Sequence, residues 1–582
     1  MTNREIAAAL DQVADLLEFK AVNPFRVRAY RSAARKVQDH GPPLASLVEA
    51  GESLSDLPAI GKSVAEKITS LVETGTLPIL EELRSELPDS VFALLRVPGL
   101  GPKKAKVLYD ELGVDSLDKL REECEAHRVS ELKGFGKKTE ETLLSGIALA
   151  ARANDRIYWR DADEVVAELL AHMSGLDAIR QIEPAGSYRR GKETVGDLDL
   201  LVDSDDAAAV MDRFAEFPQL DEVIARGDTK MSIRLASDLQ VDLRVVPSES
   251  FGAALQYFTG SKEHNVVLRG RAKDRGMRLN EWGVFEETDD AEDDSPTRGK
   301  QLAGKTEAEV YAALDLPWFP PELRENRQEF NQAAADSLPE LLTVDDLRGD
   351  LHMHTTATDG KATLHEMIEA AIARGLEYIA ITDHSQRVSM AGGLDPKRLR
   401  EQWAAIDELR GDYGQIAVLK GIECDILEAG GMDLPDDVLA EADWVIASLH
   451  YGQNQERQQI MDRLLGAIEH PSVSIVAHPT GRLINRRPPY DADVDQLIAA
   501  AAEHGKLLEL NANPMRLDLD DAQCAAAKQA GVPIVISSDA HSIAGLGVLR
   551  YGVLQARRAG LTAADVANTE PWAKFRKRVR YD

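Results

Sequence analysis

The runs GDLHMH (349–354), EYIAITDH (377–384), IAVLKGIE (416–423), WVIASLH (444–450), SIVAH (474–478) and PIVISSDAH (533–541) decide how the last third of this chain folds. Each is a short apolar stretch of strand length that ends in His, Asp or Glu. A further run, KLLELNANP (506–514), has the same shape without an obvious ligand. Helical patterns such as LHEMIEAAIARG (364–375) lie between them, and this alternation predicts a parallel sheet. Side chains at the carboxyl ends of successive strands converge on one face of an α/β barrel. Nine are candidates to meet there: His352, His354, Asp359, His384, Glu423, His450, His478, Asp539 and His541. Imidazole with carboxylate suits Mn, Fe or Zn better than Ca or Mg. The segment reads as a multi-metal hydrolase acting on a phosphate ester.

A length of 582 residues exceeds what one core organises and predicts three or four domains. The start, MTNREIAAALDQVADLL, alternates charge with apolar residues at helical spacing and lacks the pattern of a secretory signal. No apolar stretch is long enough to cross a bilayer; a cytoplasmic protein is expected, with a monomer as the default. Three cysteines, Cys124, Cys424 and Cys524, form no CxxC pair. That fits a reducing compartment and excludes a cysteine-based zinc site. The formal net charge of −31 counts against nucleic-acid binding. The charge is uneven, however. The acidic run EETDDAEDD (286–294) reads as a solvated loop, while basic clusters occupy Arg26–Lys36, Lys103–Lys106 and Lys137–Lys138. Carboxylates gathered around metals also inflate the negative total without repelling a phosphate.

The first part of the chain is helical by pattern. Residues 5–20 and the segment NPFRVRAYRSAARKV (23–37) are amphipathic. One short element recurs three times, as LPAIGKSVAEKI (57–68), VPGLGPKKAKVL (97–108) and LKGFGKKTEETL (132–143). Each places a glycine turn before an amphipathic helix start, at Gly61, at Gly99 and Gly101, and at Gly134 and Gly136. Such a turn exposes backbone N–H groups that cradle phosphate without reading base sequence. The elements resemble helix-hairpin-helix motifs. Lys67, in the first of them, has the chemistry of a Schiff-base nucleophile, although a solvated helix lysine is the plainer reading.

From about residue 155, helices alternate with strands such as DLDLLV (197–202) and LQVDLRVV (239–246). In a strand, positions i and i+2 share a face, so Asp197 and Asp199 point the same way. Asp242 is the natural third carboxylate from a neighbouring strand. Three such carboxylates hold two divalent ions suited to in-line phosphoryl chemistry on a triphosphate. Ser187, Arg190 and the backbone near Gly196, in AGSYRRGKETVGDLDLL (185–201), are placed for its outgoing phosphates. KTEAEVYAALDL (305–316) reads as helix, and 325–348 as a helical, polar connector.

Together, LPAIGKSVAEKI, GSYRRGKETVGDLDLL, VDLR and YFTGSKEHNVVLRGRA (257–272) resemble a family X DNA polymerase, and residues 349–582 resemble a PHP phosphoesterase domain. That order is similar to the bacterial and archaeal family X polymerases. The implied architecture is multidomain: an α-helical helix-hairpin-helix N-terminal region, an α+β nucleotidyltransferase palm with thumb, and a C-terminal α/β (β/α)7 barrel. The implied bounds are 1–85 (lyase-like DNA-binding domain), 86–154 (helix-hairpin-helix fingers), 155–248 (palm), 249–324 (nucleotide-selecting thumb), 325–348 (linker) and 349–582 (barrel).

The resemblance also implies roles. Asp197 and Asp199 match the pair that binds both polymerase metals, Mg²⁺ or Mn²⁺, and Asp242 the third carboxylate. Gly186, Ser187, Arg190, Gly196 and Arg156 match triphosphate contacts. Tyr257, Phe258 and Gly260 match the strip beside the incoming sugar, Asn265 a contact to the incoming base, and Arg269 a contact to template. Lys67 matches a deoxyribose-phosphate lyase nucleophile. All nine barrel ligands match the PHP pattern, with Glu423 as the bridging carboxylate for up to three ions, Mn²⁺ with Zn²⁺ or Fe as alternatives. The implied activity is filling of short gaps in base excision repair from dNTPs on gapped or primer-template DNA. A Mn²⁺-dependent 3′→5′ exonuclease accompanies it, with cleavage at abasic sites and of 3′-blocking groups as a further implied step. The alternative is a PHP phosphoesterase whose vestigial palm serves as a DNA-binding scaffold. Four positions depart from the family pattern: Gln240 stands where vertebrate members have an Arg beside the third Asp, Val195 for a Ser, and Ser63 and Arg26 for lysines, the last two bearing on Lys67.

Overall fold

Seven parallel strands in sequential order build the C-terminal part of the computed structural model: Gly349–Asp350, Tyr378–Ile381, Ala417–Asp425, Trp444–Ser448, Ile475–Val476, Leu507–Asn511 and Ile534–Ser537. A bridge between Met353 and Ala540 joins the first strand's extension to the last, so the sheet is nearly closed into a barrel. Alternation along each strand divides the apolar residues between two clusters. Ile379, Val418, Val445, Val476, Leu508 and Ile534 pack with the surrounding helices. Their neighbours Tyr378, Ala380, Leu419, Trp444, Ile446, Ile475 and Val535 pack with one another and with Phe575. This second set is the barrel interior. Phe575 stacks on Tyr378 at 4.6 Å between ring centroids. Tyr378 opens its strand, so the C-terminal segment plugs the amino-terminal end of the barrel and leaves the carboxyl ends for chemistry.

The structure describes residues 3–580 except 21, 39–43, 50–52, 57–59, 75–76, 86–93, 96, 98–99, 138, 141–142, 145–146, 148–155, 288–294, 486 and 488. The chain divides into two compact units, Met1–Arg156 and Ile157–Asp582. In the first, helices Asn3–Phe19 and Pro24–Gln38 pack through Ile6, Leu10, Val13, Leu17, Tyr30 and Ala34, all buried. The recurring element has one hydrogen-bond signature. The carbonyls of Gly61, Gly101 and Gly136 accept from the N–H groups of Ala65, Ala105 and Glu140 at 2.9, 3.0 and 3.0 Å, each opening a helical turn. Gly99 and most of the acidic run 286–294 lie outside the described residues.

The second unit begins with a five-stranded mixed sheet in the order Gln181–Pro184, Asp197–Asp203, Gln240–Val246, Lys230–Leu235, Leu220–Arg226. Val241, Leu243 and Val245 alternate into its core with Leu198, Leu200 and Val202. Helices Phe251–Thr259 and Lys262–Asp274 follow, then a small antiparallel sheet of Met277–Asn280, Gly283–Glu286 and Gln301–Ala303, and helix Glu307–Ala313. His264, fully buried, ties this region together through Glu329 (2.9 Å) and Tyr311 (2.9 Å). The expected helical connector at 325–348 is corrected. Only Glu329–Ala334 is α-helical and Val344–Asp346 forms one 3₁₀ turn. The rest runs irregularly along the fold because Leu341, Leu342 and Leu347 are buried and anchor it. No helix among the described residues is long and apolar enough to cross a membrane.

Two candidate metal centres in one unit

In the parallel pairing of Asp197–Asp203 with Gln240–Val246, Asp199 stands directly beside Asp242. Burial, then the charges of Asp197 and Asp242, push the Asp199 carboxyl up to about 7. Asp242 goes the other way. Burial disfavours its charge, but hydrogen bonds from Lys230 and Gln240 hold it below the usual range. Lys230 Nζ lies 2.7 Å from Asp242 Oδ2, and Gln240 Nε2 donates to Oδ1 at 2.9 Å. Lys230 was not legible as a site residue, because it belongs to a strand that the sequence pattern did not single out. Three facing carboxylates with one cation form a site that a divalent ion suits. Ala185, Arg244 and Phe258 complete the cleft wall.

Gly186, at φ +63°, brings the following loop against this pair; a Cβ there would sit 2.4 Å from Asp199 Oδ2. The loop Gly186–Arg189 is one short helical turn carrying Ser187. The Arg190 guanidinium is turned to Glu325 Oε1 (3.0 Å) and the Thr259 carbonyl. Gly260 adjoins it, with a Cβ position 3.3 Å from Arg190 Nη1. Tyr257 and Phe258 meet edge to face at 5.1 Å. Asn265 is nearly buried, donating to the Tyr257 carbonyl (2.7 Å) and accepting from Gln256 (2.7 Å). Gly196 immediately precedes the Asp197 strand, and Arg269 is exposed on helix Lys262–Asp274. In the other unit, Arg156 is exposed, and Lys67 Nζ donates back along its own helix to Ser63 O and Oγ at 3.0 Å each. Gly61, Gly101 and Gly136 are exposed, and Gly134 adopts φ +92°.

At the carboxyl end of the barrel all nine sequence-derived side chains converge. Eight fall into three overlapping groups able to hold a cation: His354, Asp359, His384 and His541; His352, His354 and Asp539; His384, Glu423 and His450. The ninth, His478, lies 3.0 Å from Glu423 Oε1 through its Nε2. Glu423 is central. Its Oε2 faces His384 Nδ1 (2.8 Å), His352 Nε2 (3.5 Å) and His354 Nε2 (3.6 Å), while Oε1 faces His478 and His450 Nε2 (3.5 Å). Burial disfavours charge throughout. Nonetheless the imidazoles, led by His384, hold Glu423 well below the carboxylate range, and Glu423 with Asp359 lifts His384 to about 10. Burial, then His384, drives His354 down to about 4, toward the neutral form that ligates metal.

The fit to metal rests on orphaned atoms. His352 Nε2, both ring nitrogens of His354, His384 Nδ1 and Glu423 Oε2 are buried and make no hydrogen bond. Buried polar atoms are otherwise almost always paired, and lone pairs converging at a few ångströms are what divalent ions satisfy. Glu509 is, with Lys230, a residue of these candidate sites that sequence reasoning missed. It lies on the run judged to lack a ligand. His352 Nδ1 pairs with its Oε1 at 2.7 Å, and its Oε2 accepts from the His478 backbone at 2.7 Å. The available signal was a lone carboxylate inside the apolar strand Leu507–Asn511. Asp425 plays a like part for His450 at 3.1 Å.

Family models match in the same order as the geometry: a helix-hairpin-helix domain over 1–77, a helix-hairpin-helix tandem over 92–148, the DNA polymerase beta palm over 156–254, its thumb over 254–325, and the PHP domain over 350–513. A protein of Bacillus subtilis (strain 168) named DNA polymerase/3′-5′ exonuclease PolX is 41% identical over 570 residues, which cover 98% of this chain and 97% of that one. A probable phosphatase of Thermoanaerobacter sp. is 29% identical and one of Edwardsiella ictaluri 32%, each over 38% of this chain and 90% of its own length. Two catalytic folds in one polypeptide, a polymerase palm with thumb and a phosphoesterase barrel, define a bifunctional nucleotide-transferring class. The chain belongs to the family X DNA polymerases that carry a C-terminal PHP domain.

Proposed function

We propose that this polymerase fills short gaps during DNA repair and trims 3′ ends in the 3′→5′ direction from the PHP barrel. The observation that carries the reading is the presence, in one unit, of two separate constellations: Asp197, Asp199 and Asp242 on the mixed sheet, and nine His and carboxylate side chains at the barrel mouth. The former residues would hold Mg²⁺ or Mn²⁺, and the latter up to three ions; the mixed His and carboxylate set suits Mn, Fe or Zn, and the family resemblance points to Mn²⁺ among them. When bound by these residues, divalent ions would supply activation of a primer hydroxyl at one site and of a water at the other, and neutralisation of phosphate charge. The protein's own share is positioning. Lys230 and Gln240 hold the Asp242 carboxylate facing Asp199. Gly186 lets the Ser187 loop approach within reach of the pair. Glu509 fixes the His352 ring so that Nε2 faces the cluster. The name of the Bacillus subtilis relative, which joins DNA polymerase and 3′-5′ exonuclease, supports both halves. The three convergent carboxylates favour an active palm over an inert scaffold. Lys67, bonded to Ser63, carries no step of this reading.

A duplex with a one-nucleotide gap and a mismatched primer terminus tests it. With Mn²⁺ and dNTPs the chain is expected to remove the terminal nucleotide and then fill the gap; extension without removal would refute the trimming half.

A further inference from the structure

The back of the loop 186–193 does not face solvent. It is fastened to the PHP barrel. Arg558, on barrel helix Leu549–Arg558, donates from Nη1 to the Arg190 carbonyl at 2.7 Å and to Glu325 Oε1 at 3.0 Å. Its Nη2 donates to Asp521 Oδ2 at 2.7 Å. The Arg558 side chain is 3% exposed, so this is a buried hub rather than a surface pair. Glu325 meanwhile takes Arg190 Nε at 3.0 Å and stands 3.6 Å from Lys192 Nζ. Charges thus alternate along a chain from Asp521 through Arg558 and Glu325 to Arg190. One helical turn earlier, Leu554 fills the space beside Gly191, where a Cβ would come within 2.6 Å of it. Gly191 adopts φ +67°, so both its backbone and the approach require glycine. At the next residue pair, Arg482 of the barrel bonds Glu193 Oε2 at 2.8 Å.

We infer that Arg558 of the PHP barrel is a positioning residue for nucleotidyl transfer, which fixes the phosphate-facing loop Gly186–Lys192 through the Arg190 carbonyl and Glu325. The inference rests on the reading of Ser187 and its loop as the triphosphate contact. A guanidinium that bonds a main-chain carbonyl sets where the backbone runs. That backbone carries Gly186 and Ser187 at its other end, against Asp199. A loop of so few residues, anchored at one end on the sheet strand and at the other on the barrel, has little freedom left. The consequence is that the barrel serves as the rigid rear wall of the polymerase site, in addition to its own chemistry. This accounts for a buried arginine that no ligand of either metal centre touches.

The test uses the full chain with Arg558→Met, Arg558→Lys, Leu554→Ala and Ser187→Ala. Read-outs are kcat and KM for dNTP on a one-nucleotide gap, Mn²⁺-dependent hydrolysis of bis-p-nitrophenyl phosphate, and the melting temperature. Arg558→Met is expected to raise the dNTP KM about tenfold, the effect of losing roughly one charge-assisted hydrogen bond. Its kcat and its hydrolysis of the diester stay within about twofold of the parent, and Arg558→Lys recovers most of the KM. A dNTP KM within twofold of the parent for Arg558→Met, with Ser187→Ala raising it, overturns the inference alone. An unchanged KM for Ser187→Ala overturns the loop reading and the inference with it. Parallel loss of both activities in Arg558→Met marks a merely structural residue and also overturns it. Should Arg558→Met fail to fold, Leu554→Ala is read by the same criteria.

Discussion

Glu509 Oε1 lies 2.7 Å from His352 Nδ1, beside the His and carboxylate cluster of the barrel and with both side chains out of solvent. A carboxylate so placed fixes the ring's tautomer and orientation and raises its basicity as a ligand. Glu509→Ala is therefore expected to weaken Mn²⁺ binding and diester hydrolysis by roughly 10- to 100-fold, with gap filling unchanged. Calorimetric Mn²⁺ titration of the barrel site checks it; unaltered affinity contradicts the assignment.

Lys230 supplies at the palm what Gln240 cannot. It comes from the neighbouring strand, paired antiparallel to Gln240–Val246, and its ammonium meets Asp242 at 2.7 Å. Removing a charge-assisted hydrogen bond worth roughly 1.5–3 kcal/mol slows a step that depends on it by about 10- to 100-fold. Lys230→Met is expected to slow nucleotide addition in that range and to leave diester hydrolysis intact. Single-turnover extension on gapped DNA measures it, and an unchanged rate opposes the role.

Much of this was legible in the sequence. Eight of the nine candidate barrel ligands end one of six apolar runs or lie two residues before its end, with Asp359 five residues beyond the first, and the period-2 pattern of DLDLLV and VDLR puts carboxylates on one face. Both signals are local, so spacing alone reveals them. Glu509 and Lys230 were not legible for the opposite reason. Each acts on a partner remote in the chain, His352 and Asp242, and only tertiary pairing of strands brings them together. The 325–348 segment misled because polar residues and alanines mimic a helix, whereas Leu341, Leu342 and Leu347 commit it to packing. Arg558 sits in an amphipathic helix whose sequence says nothing of Glu325 or Arg190.

Glu307 makes acid stability predictable. It is buried, which raises its carboxyl, but bonds from Arg189 and the wholly buried Arg324 outweigh this and bring it down to about 2 from an ordinary 4.5. A depressed folded-state value means the stabilisation is complete above pH 4.5 and is lost as pH falls toward 2. Its size by linkage is on the order of 3 kcal/mol. The melting-temperature gap between the parent and Glu307→Gln should be widest near pH 7 and close progressively below pH 4.5. A gap independent of pH contradicts the pairing.

The plug of the barrel is testable by truncation. Phe575 is wholly buried and stacked on Tyr378. Phe575→Ala is expected to cost about 3–5 kcal/mol, seen as a lower denaturant midpoint for the second unit, with the His and carboxylate cluster still assembled at the far end of the barrel. A loss under 1 kcal/mol would show that the interior repacks without the plug.

The most direct measurement of the central claim, that one polypeptide holds two independent reaction centres, compares Asp242→Ala with His352→Ala on the same labelled gapped duplex. Asp242→Ala is expected to lose nucleotide addition while retaining 3′ trimming, and His352→Ala to lose trimming while retaining addition. Loss of both activities in either folded variant would contradict it.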